Sequence, residues 1–393
     1  MLERLRASDE TTRWVLAGVA LAVVVGAPMV VSGPGNDLDV GNVFTSGRSI
    51  LEGDYVPSRA PGAPVHEAIV GVFDRLGGPL LTNLASLGAA VTLVVALDRL
   101  LRREGLGVGR RWAVALVAAN PWFLIAATST IDYLFALAFV VLAALAIRND
   151  RAVLAGLFAA AAMGSRIGSA LLIGALLLAE ITEPDRSAAV RRALVTAATA
   201  AAATVVLFVP SIVAAGGLAF AENDFSTSSP LVMLGRAAVK DLTLLGTLAS
   251  AVALLALPAM VAALRGWRTS WLVRFAVPGL VLSQVLFIRF PWKIPHLLPC
   301  LVCGAIWLAV ALHRRPRLLM VLVALQLVFA VVRVDLVRPD NPNEATGAEI
   351  GLTVGQGPVV TDWQCRRQDP DAYEGRQLVE IETAWNCARP FGG

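Results

Sequence analysis

Long apolar runs, broken at intervals by arginine-bearing gaps, fill most of the chain. They cover Trp14–Val31, Leu80–Leu97, Trp112–Thr128, Ile131–Ile147, Val153–Ile181, Ala193–Ala214, Leu242–Leu264, Trp271–Ile288, Ile294–Leu312 and Leu318–Val334. Runs of this kind are long enough to cross a hydrocarbon core about 30 Å thick as helices. Val153–Ile181 is too long for one crossing and is interrupted by Gly164-Ser165-Arg166, so it reads as two helices joined by a turn. The pattern predicts an all-α polytopic membrane protein with about eleven transmembrane helices. The first run follows Arg4, Arg6 and Arg13, a start shared by signal peptides and retained helices. Pro28 and Met29 stand where a small-residue cleavage site would be needed, so a retained first helix is expected.

Composition narrows the class. Of 393 residues, 57% are hydrophobic and only 16% charged, against about 25% charged in soluble domains. A water-soluble multidomain enzyme is excluded. The net charge of +4 does not point to nucleic acid, because the basic residues sit between spans rather than in one patch beside aromatics.

Their distribution sets an orientation. With the N-terminus cytoplasmic, the stretches 98–111, 148–151, 182–192, 265–274 and 313–317 hold five, two, three, three and three arginines. Every alternate loop then obeys the positive-inside rule, and the C-terminal tail falls outside the cytoplasmic membrane. The expected organisation is one membrane domain over 1–334, with an external loop at 32–79 and a short external tail at 335–393. Cys365 and Cys387 lie in that tail, where an oxidising compartment would allow them to pair. Cys300 and Cys303, inside an apolar run, read as buried small hydrophobes.

Candidate chemistry gathers on the external side. The loop at 32–79 is long for a bundle connection, and such loops are often functional. It carries Asp37, Asp39, Arg48, Tyr55, Arg59, His66 and Glu67 in a Gly/Pro-stiffened frame. Val65–Leu76 has apolar residues at helical spacing and predicts an amphipathic helix on the membrane surface. Asp132 and Tyr133 begin the fourth span, and Arg166 sits at the turn of the helix pair. Arg289 and Lys293 bracket Phe290-Pro291-Trp292, with His296 just beyond. Ionisable residues at spans are expensive and tend to be functional or paired. A carboxylate can take the proton of an attacking hydroxyl, and Arg, Lys and His can hold a departing phosphate. Transfer of a sugar from a polyprenyl phosphate needs these groups and a groove for the lipid. The segment Gly216–Asp241, with Glu222, Asn223 and Asp224, is expected to be an external lid.

In order and motif the chain resembles the GT-C superfamily of integral-membrane glycosyltransferases, in the style of bacterial protein-mannosyltransferase and aminoarabinose-transferase relatives. The resemblance rests on Asp39 ahead of Arg48-Ser-Ile-Leu51-Glu-Gly53, and on the Pro-rich stretch from Tyr55 to Pro64. Further along it rests on Asn120-Pro121 ahead of Asp132-Tyr133, on Gly156 and Gly164-Ser-Arg166, and on Arg289-Phe-Pro-Trp-Lys293-Ile-Pro-His296-Leu-Leu-Pro. It implies a GT-C-like fold and an inverting transfer from a polyprenyl-phosphate sugar to a lipid, polysaccharide or protein acceptor. Asp39 would be the general base, with Asp37 as second acid or alternative base. Arg289, Lys293 and His296 would hold the donor phosphate, helped by Arg59 and Arg166. Asp132, Tyr133, His66, Glu67 and Tyr55 would contact sugar or acceptor. Where the family often has an acidic pair, Val40 follows Asp39. Asp37 and Asp39 could instead form a DxD-type pair for Mg or Mn, which leaves a metal open. A transporter or lipid flippase and a non-catalytic envelope scaffold are the rival readings.

Overall fold

The computed structural model describes residues 26–37, 39–107, 109–217, 229–313, 315–337 and 351–368. Residues 26–30 are helical; the rest of the expected first helix lies outside the described residues. There follow α1 (Asp39–Glu52), α2 (Pro64–Arg103), α3 (Gly109–Ala118), α4 (Pro121–Ala127), α5 (Tyr133–Arg148), α6 (Ala152–Ser165), α7 (Ala170–Ile181) and α8 (Arg186–Ala214). Then come α9 (Pro230–Leu245), α10 (Thr247–Leu255), α11 (Leu257–Ala263), α12 (Trp271–Arg289), α13 (Leu298–Ala311) and α14 (Pro316–Val331). The described chain ends with β1 (Val332–Val337), β2 (Gly351–Gln356) and α15 (Pro358–Gln368).

Among the described residues, four helices are long and apolar enough by themselves to cross a membrane: α2, α8, α12 and Ile294–Ala311. The pair α9 and α10 qualifies together but is bent by 90°. Helices α5 and α6, the stretch Ile167–Ile181 and α14 are shorter apolar segments. The chain is an integral-membrane helical bundle whose crossings are often broken rather than straight.

The breaks correct several expected spans. Trp112–Thr128 divides into α3 and α4, because Pro121 cannot continue a helix and Asn120 caps the new one, accepting from the Trp122 and Phe123 amides. Leu242–Leu264 is not one helix: it joins the end of α9, a bend at Gly246, α10 and α11. Gly246 has φ +75°, and a Cβ there would meet the Phe329 ring at 2.9 Å. The last span stops at Val331 instead of Val334. The expected lid is helical from Pro230, capped by Ser229 on the Val232 amide at 3.4 Å; Glu222, Asn223 and Asp224 lie outside the described residues.

Other expectations meet the structure directly. The segment expected at the membrane surface is helical from Pro64 and joins the apolar run of α2 through a break at Gly77-Gly78, just before Pro79. Gly78, at φ 62° and ψ −153°, needs a residue without Cβ. The helix pair at Gly164-Ser-Arg166 is present as α6 and α7. An entirely helical chain is not what forms: β1 and β2 pair antiparallel from Val332↔Gln356 to Val337↔Gly351. The alternation Val332-Arg-Val-Asp-Leu-Val has the period of a strand, and its β-branched residues favour one. Cys300 and Cys303 are buried and free. Cys365 is disulfide-bonded, and its expected partner Cys387 lies outside the described residues.

Packing relies on small residues. Helix α1 crosses α2 where Gly47 meets Gly71, so closely that a Cβ on Gly71 would lie 2.2 Å from the Gly47 carbonyl oxygen. Gly156 of α6 faces Thr196 and Thr199 of α8 in the same manner. At such crossings backbones approach because no side chain intervenes. The result seats α1, and Asp39 at its first residue, directly on α2.

Candidate active site

The loop that precedes α1 is held from below by α2 and from the side by the α4–α5 connection. Asn83 of α2 donates to the Val30 and Gly33 carbonyls at 3.0 and 2.8 Å. The Thr130 amide donates to the Pro34 carbonyl at 2.8 Å, and the Thr130 hydroxyl to Asn83 Oδ1 at 3.0 Å. Gly35, at φ +115°, lies against Ser129 with no room for a Cβ. These bonds bring Asp37 and Asp39, from one segment, beside Asp132, from the next.

Cations from three further segments close the cluster. Lys293 Nζ bridges Asp37 Oδ1 at 2.5 Å and Asp39 Oδ2 at 3.1 Å. Arg59 Nη1 reaches Asp39 Oδ2 at 2.6 Å while its Nη2 pairs with Asp132. Arg166 Nη1 bonds Asp132 Oδ1 at 3.0 Å, and its guanidinium lies over the Tyr133 ring at 4.4 Å. Asp37 also accepts the Asp39 backbone amide at 2.9 Å. Burial opposes ionisation of Asp39, but Lys293 and Arg59 outweigh it and hold the carboxyl well below the usual carboxylate range. Burial likewise opposes the Lys293 charge, yet Asp37 and Asp39 raise its pKa and keep it protonated. Asp132, also buried, is held low by Arg59 and Arg166. The cluster is an alternating chain of carboxylates and cations at one end of an apolar bundle.

No protein-family model matches the sequence, and no curated protein does. Among solved structures, the chain resembles ArnT from Cupriavidus metallidurans in its apo state, with a TM-score of 0.54 and 19% identity. The match covers 77% of this chain and 60% of ArnT, so the chain spans about three fifths of that protein's length. The chain shares the membrane fold of that protein.

Within this fold the expected site residues fall into four sets. Asp37, Asp39, Arg59, Asp132, Arg166 and Lys293 form the cluster itself. Tyr133 and His296 stand at its edge with ring centroids 5.6 Å apart, and His66 packs on Phe135 at 5.0 Å. The Tyr133 hydroxyl and both His66 ring nitrogens are buried without a hydrogen-bond partner among the described residues. Glu67 and Tyr55 are joined to each other at 2.5 Å, and Glu67 also takes the Ser58 amide at 3.0 Å. They shape the loop that delivers Arg59. Arg289 is not drawn in: it is exposed, with its guanidinium over the Phe290 ring at 4.8 Å.

Several residues that organise the site were not anticipated. Asn36, Asn83 and Asp362 hold the carboxylate loop through backbone and side-chain bonds, and Arg366 ties Met29, ahead of that loop, to Thr128. Buried Lys240 of α9 donates to the Trp292 carbonyl, next to Lys293. Asn36 stands immediately before Asp37 and Lys240 interrupts an apolar helix, which were the available signals. As for a metal, among the described residues no three of His, Cys, Asp and Glu come together in a way that could hold one. The Lys293 ammonium already occupies the place between Asp37 and Asp39.

Proposed function

We propose that the chain is a membrane glycosyltransferase that moves a sugar from a polyprenyl-phosphate donor to an acceptor hydroxyl, with inversion. The observation that carries this reading is the Asp37–Lys293–Asp39–Arg59–Asp132–Arg166 chain at one end of a GT-C-like bundle. Here carboxylates and phosphate-binding cations stand within one site, beside a membrane that can hold a lipid tail.

In this reading the donor phosphate competes with Asp39 for Lys293 and Arg59. As those cations turn to the phosphate, Asp39 loses the partners that keep it acidic and becomes a better base. The acceptor hydroxyl gives its proton to Asp39 and its oxygen bonds to the anomeric carbon. The bond from that carbon to the phosphate oxygen breaks, and the phosphate leaves with the electron pair, held by Lys293, Arg59 and Arg166. Attack opposite the leaving group inverts the centre. The unpartnered Tyr133 hydroxyl and His66 nitrogens suit sugar hydroxyls. Arg289 and His296 remain candidates for the outer phosphate contact, and Glu67 and Tyr55 for the loop that meets the acceptor.

The rest of the reading follows the same lines. The cytoplasmic membrane holds about eleven crossings, with the N-terminus cytoplasmic and the tail and site outside. The acceptor is a lipid, a polysaccharide or a protein. A Mg or Mn ion would need Asp37 and Asp39 freed from Lys293, so no step is routed through one. The test is transfer from a panel of polyprenyl-phosphate sugars by the purified protein, with a crude envelope acceptor, with and without chelator. Donor-dependent product that disappears in Asp39→Asn supports the reading, and chelator sensitivity would restore the metal. No product, or equal product from the variant, sinks it and favours a transporter or a scaffold.

A further inference from the structure

Helix α15, the last element of the described residues, reaches into the same end of the bundle as the carboxylate cluster. Its Arg366 is 2% exposed, and its two terminal nitrogens donate to backbone and side-chain oxygens of two other segments. Nη1 bonds the Met29 carbonyl at 3.2 Å and the Thr128 carbonyl at 2.5 Å. Nη2 bonds the Ile125 carbonyl at 3.3 Å and the Ser129 hydroxyl at 2.6 Å. One turn earlier, Asp362 pairs with Arg366 at 2.8 Å. Asp362 also receives the Asn36 side-chain amide, at 2.9 Å on its carboxylate and 3.0 Å on its backbone carbonyl.

The two segments that Arg366 and Asp362 hold are the ones that carry the site acids. Asn36 is next to Asp37, and Ser129 lies three residues before Asp132. A guanidinium suits this task because its planar fork reaches several carbonyls at once, which a lysine ammonium cannot do with the same geometry. Helix α15 is itself anchored: the Gly357 amide bonds the Val331 carbonyl at 2.6 Å, and Cys365 is disulfide-bonded. An anchored helix that bonds both acid-bearing loops fixes the separation between them.

We propose that α15 is a positioning element for the carboxylate cluster. Arg366 clamps the helical end at Met29, which leads into the Asp37 loop, to the segment before Asp132, and Asp362 acts through Asn36 to set Asp37 and Asp39 against Lys293. The catalytic consequence of this arrangement rests on the glycosyltransferase reading. Neither Asn36, Asp362 nor Arg366 touches the reacting groups, so their effect is on rate through geometry rather than on donor affinity.

The experiment uses the full chain in detergent or nanodiscs, with Asn36→Ala, Asn36→Asp, Asn36→Asp/Asp362→Asn and Arg366→Lys. Two readouts are taken: amide hydrogen exchange over 33–40 and 125–132, and kcat and KM with whichever polyprenyl-phosphate sugar the wild type uses. Asn36→Ala should speed exchange in 33–40 and lower kcat by about 10- to 100-fold, with donor KM within about twofold. Arg366→Lys should loosen both segments. Asn36→Asp sets a carboxylate against Asp362 and should be worse than Asn36→Ala. Adding Asp362→Asn restores a donor facing an acceptor and should recover much of the rate and the protection, whereas a merely structural role predicts that the two losses accumulate.

Unchanged exchange in Asn36→Ala and Arg366→Lys overturns the proposal, as does faster exchange with unchanged kcat. If the wild type transfers sugar from no donor, the glycosyltransferase reading fails separately. The exchange data then still decide whether α15 clamps the loops.

Discussion

Asp132 shows how much rests on single side chains at this end of the molecule. It is fully buried and answers two guanidiniums, Arg59 and Arg166. Removing one member of a buried ionic set leaves uncompensated charge, at a cost of about 3–5 kcal/mol. Asp132→Asn should therefore lower the thermal unfolding midpoint. Its pH behaviour follows from the direction of the shift. Asp132 and Asp39 are depressed below the unfolded value, which for aspartate is about 3.9. The stability they contribute is present in full above that value and is lost as pH falls through the folded one. Unfolding midpoints should be flat down to about pH 5 and fall below about pH 4, with a lower plateau and shallower acid fall in Asp132→Asn. Equal acid slopes would contradict this. Lys293→Met removes the ammonium that Asp39 and Asp37 share, so Asp39 should titrate at higher pH and transfer should drop by about 100-fold. The cluster's acids and cations were legible in the sequence because ionisable residues stand out beside apolar runs. Arg366 was not, since one arginine in a polar tail has no pattern until the chain folds back and supplies its carbonyl partners.

Helices were legible where period and length agree, and obscured where one residue changes direction. The first part of α2 and the α6–α7 turn follow from apolar spacing and from Gly164-Ser-Arg166. The bend between α9 and α10 does not, because Gly246 sits in a run whose apolar character continues on both sides. Its requirement for positive φ comes from the Phe329 ring, which is distant in sequence. The crossing of α1 and α2 is a similar case, since nothing local tells that Gly47 will meet Gly71. It also makes a sharp prediction. Gly71→Val has no space to occupy, and overpacking of this kind destabilises by about 1–3 kcal/mol. Because α1 begins at Asp39, the variant should also reduce transfer. Gly88→Ala on the same helix faces open space, and should be neutral or stabilising by up to about 1 kcal/mol. Thermal unfolding and transfer assays on the two variants separate backbone crowding from a general intolerance of α2 to change.

The whole bundle carries a second ionic cluster at its other end. Glu180, at the close of α7, is fully buried and accepts from Arg192 at 2.7 Å and from the Trp271 indole at 3.2 Å, with Arg148 at 3.8 Å. Arg148 also pairs with Glu104 and Glu183, and Arg274 with Glu183. The connections around α2, α5, α7, α8 and α12 are thus tied by charge where those helices leave the apolar layer. Both clusters are buried ion networks with cations shared between carboxylates of separate segments, but the Asp39 end also has the Tyr133 hydroxyl and the His66 ring nitrogens beside it, polar groups without a partner among the described residues that suit a ligand. At the Glu180 end the carboxylates are answered by Arg148, Arg192, Arg274 and the Trp271 indole, so this cluster serves cohesion. Glu180→Ala would strand the Trp271 indole and leave Arg192 only the exposed Asp150 as partner, and should lower stability by about 3–5 kcal/mol. Transfer measured well below the new unfolding midpoint should keep kcat and donor KM within about twofold, because the variant touches no group that meets donor or acceptor. Combined with Asp132→Asn, the two stability losses should add to within about 0.5 kcal/mol, as expected for sites with no shared partner. A changed donor KM in Glu180→Ala, or strong coupling between the variants, would mean that the two ends move together and that the opposite end belongs to the working site.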